Sequence, residues 1–206
     1  MIEMTLDIVT KGGGEMETFI CHPERNGPFS AVFLLMDAYG VREELKDMAR
    51  RLGTIGYYVL LPNLYYRAGR DTIYGPSVQE EGSAEHKRMR AVRTKMTIPP
   101  VMDDIAGMLA FVERQREVKS GPVGCHGYCM SGPYALAAAA RYPDHVAARR
   151  IILRDLAHQR GRGKPASLLR QGRGRALHSL RRARQSGAFA DGRRAPYPIR
   201  AGRHHR

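Results

Sequence analysis

Paired cysteines are missing: three in 206 residues, an odd number, make no disulfide framework and suit a reducing compartment. Long apolar runs are missing too. The longest, such as Ala31 to Met36 and Ala135 to Ala140, fall far short of the roughly 20 residues that a membrane-spanning helix needs. The N-terminus, with Glu3 and Asp7, lacks the basic-then-apolar shape of a signal peptide. These absences predict a soluble, cytoplasmic protein with no membrane partner. What the chain does have is 43% hydrophobic residues, enough for one domain with a core, which excludes disorder throughout and a small stapled scaffold.

Acidic residues are scarce in one region only. Residues 1–146 hold 17 Lys and Arg against 18 Asp and Glu, a net of −1, whereas residues 147–206 hold 17 against 2, Asp155 and Asp191, a net of +15. The overall +14 therefore suggests nucleic acid only for the tail. The composition changes near Ala148, which predicts two regions, residues 1–148 and 149–206.

The first region reads as α/β. Thr5 to Val9 and Glu17 to Cys21 alternate around Lys11-Gly12-Gly13-Gly14, as in an edge hairpin. Ser30 to Met36 and Tyr57 to Leu61 are continuous apolar runs, which predict strands buried on both faces. Between them Val41, Leu45, Met48, Ala49 and Leu52 form a helical stripe that ends near Gly53 or Gly56. Residues 65–97 are polar and glycine-containing and predict a loop or short helix with solvated charges. Val101, Ile105, Met108, Leu109 and Val112 predict a helix after Pro99-Pro100, with Asp103 and Asp104 capping its first turn. Pro122 to His126 is then a strand and Tyr134 to Arg141 a helix, which together give a mostly parallel sheet covered by helices on both faces.

Gly127-Tyr128-Cys129-Met130-Ser131-Gly132 joins that last strand to that last helix. A strained strand-to-helix turn needs small residues two places either side of its apex, and Gly127 and Ser131 occupy those places around Cys129. A cysteine there meets the positive end of the helix dipole, which favours the reactive thiolate. Taken alone, the residues leave Cys129 as either a nucleophile or a buried structural cysteine. Cys21 and Cys125 read as packing residues, and His126, inside the strand, as a histidine of the core or one supporting the site from behind and not as the catalytic base.

The segment resembles the dienelactone hydrolase family of α/β-hydrolases, whose turn carries Gly-Tyr-Cys-x-Gly-Gly; Ser131 replaces the first of the paired glycines. Asp37-Ala38-Tyr39-Gly40-Val41 resembles the family's acidic-x-aromatic-Gly-Val segment, and Pro62-Asn63-Leu64-Tyr65-Tyr66-Arg67 its Pro-Asp-Leu-Tyr segment. The resemblance implies hydrolysis of a small ester or lactone with no metal or organic cofactor. Cys129 would be the nucleophile, with the backbone N–H groups of Ala38 and Met130 as the oxyanion hole. Asp37 stands where the family has a glutamate that pairs with the resting thiol. A serine hydrolase using Ser131 is a weaker reading, since Ser131 lies two residues beyond the apex.

The resemblance also requires an Asp roughly 45 to 55 residues past the nucleophile and a His near the end. Neither occurs in context, so the fold is expected to be cut short after the helix that follows Cys129, and the chain to be inactive. One account of residues 149–206 is a basic tail that holds nucleic acid or another acidic partner through non-specific contacts. The other is a change of reading frame. Back-translating Arg149 to Asp155 and advancing one nucleotide permits Ala-Ala-Ser-Phe-Tyr-Gly-Thr, the family's next strand. The same shift over Leu177 to Arg184 permits Tyr-Ile-Pro-Cys-Ala-Glu-His-Asp, which resembles the strand that delivers the aspartate. The frame change is the preferred account, because an out-of-frame GC-rich gene also yields excess arginine.

Overall fold

A computed structural model describes residues 1–70 and 72–152. Strands β1 (Ile2–Val9) and β2 (Glu15–His22) form the expected hairpin, antiparallel and in register from Ile2 opposite His22 to Val9 opposite Glu15. The further strands are β3 (Ser30–Leu35), β4 (Tyr57–Pro62), β5 (Val123–Tyr128) and β6 (Val146–Ile152). They build one six-stranded sheet in the order β1-β2-β4-β3-β5-β6, antiparallel at β1/β2 and β2/β4 and parallel elsewhere. Tyr58 to Pro62 are buried at every position, as a strand covered on both faces must be.

Helix α1 (Glu43–Thr54) turns Leu45, Ala49 and Gly53 inward, at intervals of four that share one face. Met48, expected on that stripe, sits at its rim, 37% exposed. Helix α3 (Ile98–Val112) buries Val101, Ile105, Met108, Leu109 and Val112 as its periodicity predicts. Helix α4 (Gly132–Arg141) packs on β5 and β6 and against α3. Among the described residues no helix is long and apolar enough to cross a membrane.

The order of the strands places the site. From β3 the chain crosses through α1 to β4 on one side, and the next parallel strand, β5, lies on the other side of β3. Where the order reverses, connections leave the carboxyl ends of the two neighbouring strands in opposite directions and open a crevice. Asp37 follows β3 and Cys129 follows β5, so both stand at that crevice.

Residues 65–97, expected as a loop or short helix, contain a short helix, α2 (Ala84–Arg93), which is capped by Ser83 accepting from the His86 amide. Two expectations need correction. Asp103 and Asp104 do not cap α3, because that helix begins at Ile98, leaving both acids beyond its first turn. The sheet also does not stop after α4: β6 pairs in parallel with β5 as far as Tyr128 opposite Ile152. A strand beside a finished neighbour is held by its backbone ladder, which needs no particular side chain, so the shift in composition at Ala148 did not end it. Residues 153–206, with the expectations about a basic or out-of-frame tail, lie outside the described residues.

Candidate active site

Cys129 has φ = 48°, a left-handed conformation that L residues other than glycine adopt at a cost of about 1–3 kcal/mol and that recurs at active sites. It opens a short 3-10 turn, Cys129–Ser131, between β5 and α4, and its side chain is exposed. Unlike Cys21 and Cys125, it is therefore not buried. A Cβ at Gly127 would overlap the Ser131 carbonyl oxygen and lie 2.7 Å from its carbon, so the turn can be this tight only with glycine there. Ser131 is fully buried and donates its hydroxyl to the Met36 carbonyl. It ties the end of β3 to the turn and is not placed as a nucleophile.

The segment after β3 is held at each carbonyl in succession. Met36 O accepts from Ser131, Asp37 O from the Gly40 amide at 3.4 Å, Ala38 O from the Tyr65 hydroxyl at 3.1 Å, and Tyr39 O from the Tyr74 amide at 2.9 Å. Gly40 has φ = 91°, and a Cβ there would overlap Thr72 O, so this position also requires glycine. The Tyr65 hydroxyl lies 3.3 Å from Met130 Sδ as well. Ala38 and Met130, the two expected oxyanion donors, thus meet around one buried side chain.

Asp37 is held by Arg42 through two hydrogen bonds, 2.7 and 2.9 Å, and accepts the Tyr39 amide at 3.0 Å. Burial works against the Arg42 charge, but its bonds to Asp37 outweigh that and raise its pKa. Among the described residues no hydrogen bond joins Asp37 to Cys129. Its side chain is one methylene shorter than the glutamate implied by resemblance, and it is spent on the turn.

Asp104 is the carboxylate the sequence misjudged. It is wholly buried, takes both nitrogens of Arg67 at 2.8 and 2.9 Å, and accepts the Tyr66 hydroxyl at 2.9 Å. Burial raises its carboxyl above the ordinary carboxylate range, opposed by Arg67 and Tyr66. The pair fastens the segment after β4 to α3, and several charges of residues 65–97 are engaged: Arg67 here, Arg70 with Asp7 and Glu17, and Glu85 with the Gly75 amide.

Cys21 and Cys125 are buried as expected. Desolvation pushes the Cys125 thiol up to about 12, and desolvation together with Glu3 pushes Cys21 up to about 11. His126 is half-buried, its ring stacked on Tyr128 at 4.5 Å. A small cavity of about 80 Å³, lined by residues including Phe19, Val41, Lys46 and Asn63, does not reach Cys129 and is below the size of an organic substrate site.

Comparison with known proteins adds relatives to this geometry. A model described as the dienelactone hydrolase family matches residues 16–151. A Methylorubrum extorquens protein named "Putative carboxymethylenebutenolidase" is 29% identical over 130 residues, 63% of this chain and 42% of that protein. The carboxymethylenebutenolidase of Pseudomonas sp. strain P51 is 27% identical over 143 residues, 68% of this chain and 56% of that protein. The chain therefore spans about half the length of the curated relatives it matches. A crystal structure from Klebsiella pneumoniae, named "Putative Dienelactone Hydrolase", superposes with a TM-score of 0.59 at 23% identity, covering 72% of this chain and 57% of that one. This is a likeness of fold.

Proposed function

Because the chain belongs to the dienelactone hydrolase family, we propose that it is built to open a small ester or lactone with Cys129 as nucleophile. The observation that carries this is the exposed Cys129 at φ = 48° on a turn at the reversal point of the sheet. The thiolate attacks the carbonyl carbon, and the N–H groups of Ala38 and Met130 take the oxyanion. Collapse breaks the C–O bond, frees the alcohol oxygen and leaves a thioester on Cys129, which water hydrolyses. Asp37 serves this scheme by shaping the turn that carries Ala38. The setting is cytoplasmic, in keeping with three free thiols.

Turnover also needs a base and a carboxylate to orient it. In the family these come after the residues described here, where this chain's sequence offers neither in context. The chain therefore acylates once and stalls, and its residues 149–206 derive from a shifted frame. The test is p-nitrophenyl acetate at pH 8.5. One equivalent of p-nitrophenolate is expected, absent in Cys129→Ala, with turnover faster by several powers of ten once the frame is restored after Ala148. Equal turnover with and without restoration, both lost in Cys129→Ala, would overturn the claim of a missing base.

A further inference from the structure

Tyr65 is buried, 1% exposed, and its hydroxyl has two neighbours from separate parts of the chain: Ala38 O at 3.1 Å and Met130 Sδ at 3.3 Å. A phenol has one proton. The carbonyl is the stronger acceptor and takes it, leaving the thioether in contact with the oxygen. The ring is held independently, edge-on to Tyr74 at 5.7 Å.

The consequence lies in the backbone. The direction of the Ala38 N–H is set by the Asp37–Ala38 peptide plane, whose carbonyl accepts from Gly40. The next plane, Ala38–Tyr39, is gripped at both ends, by the Tyr65 hydroxyl at its oxygen and by Asp37 Oδ1 at its nitrogen. With both planes fixed, the Ala38 amide keeps one orientation before any substrate arrives. An oxyanion hole draws its effect from donors fixed in advance. Release of one plane would let the Ala38 amide wander, and the contact with Met130 would lose its reference on the other side of the crevice. Burial raises the Tyr65 pKa, so the hydroxyl stays a donor through the working range.

We propose that Tyr65 is a positioning residue for acylation, setting the Ala38 amide against the Met130 side of the oxyanion hole through its hydroxyl. This rests on the nucleophile reading above. Tyr65→Phe removes the hydroxyl and keeps the ring. Two reactions of the full chain at pH 8.5 then separate the roles. Acylation by p-nitrophenyl acetate forms the Sγ–C bond, breaks the C–O bond to p-nitrophenolate, gives the thiol proton to buffer and passes through an oxyanion. Alkylation by iodoacetamide displaces iodide from a saturated carbon, and no oxyanion forms.

Tyr65→Phe is expected to slow the first equivalent of p-nitrophenolate about tenfold, while alkylation of Cys129 stays within about twofold, the two rates being independent of one another only if the hole is what changed. Both rates are taken on separate samples of a preparation in which a third sample takes up no more than one equivalent of iodoacetamide, as expected of the folded form in which Cys21 and Cys125 stay covered. An unchanged acylation rate overturns the assignment, and so does an equal fall in both reactions, which would make Tyr65 a support of the turn alone. Wild-type protein that is acylated no faster than Cys129→Ala overturns the nucleophile reading first, and the assignment with it.

Discussion

Cys125 lies inside β5 and Cys129 just past its end, and the surroundings of these two thiols share almost nothing. Cys125 is closed in by neighbouring strands, and desolvation pushes its thiol up to about 12. Cys129 is exposed and sits in a backbone conformation that costs energy to hold. The strand's interior maximises packing; its end gives packing up to hold one reactive atom in the open. Strain is affordable there because the flanking interior is overdetermined.

Exchanging the roles of the two sites tests this most sharply in reactivity. Cys129→Ala is expected to lower the rate of acylation by p-nitrophenyl acetate at least ~100-fold, and Cys125→Ala to leave it within a few-fold, as read by p-nitrophenolate release. A side chain at Gly127, midway between them, attacks the turn itself. Gly127→Val drives a Cβ into the Ser131 carbonyl, which as backbone cannot step aside, and a loss of about 3 kcal/mol is expected in urea unfolding.

Alkaline pH sharpens the interior side. The unfolded thiol titrates near ~8.5, while folded Cys125 does so at about 12 and Cys21 at about 11. The folded protein keeps protons that the unfolded chain has lost. The stability this provides is complete below the unfolded value and is lost as pH rises through the folded ones. Between pH 9 and 11 (roughly the window these values span), each thiol contributes a decline of ~1.4 kcal/mol per pH unit, and Cys125→Ala should remove one such share of the slope. The smallest effect has opposite signs at the two sites. Cys129→Gly relieves the positive φ and is expected to stabilise by about 1 kcal/mol, whereas Cys125→Gly weakens a packed strand and destabilises by ~2 kcal/mol. Thermal melting of both variants reads the contrast.

Much of this was legible because it is local. Period two gave the hairpin, continuous apolar runs gave β3 and β4, and the small residues around Cys129 gave the turn. What escaped is joined across long stretches of sequence. Tyr65 meets Ala38 27 residues before it and Met130 65 residues after it, and no periodicity records such a meeting; Tyr65 was visible only as part of a family-like segment. Asp104 looked like a helix cap because Pro99-Pro100 suggested a later helix start, and its burial depends on Arg67, 37 residues earlier. A short helix was allowed for in residues 65–97, but α2 could not be located there: Met89 is its only buried residue, too little for an apolar stripe. The strand at Val146–Ile152 was masked by its arginines, since composition weighs side chains while a ladder is made of backbone.

The bond between half-exposed Arg67 and buried Asp104 makes a ring of the chain between them. Closing a loop of that length costs about 3 kcal/mol of chain entropy, which the packing of the surrounding elements offsets. Inside the ring lies an exposed tip, Gln79 to Gly82. A protease specific for glutamate that cuts at Glu80 or Glu81 would find both new ends still tethered, one through Arg67 and the other through α2 and α3. The nicked protein should migrate as one particle under native conditions and as two fragments in denaturant.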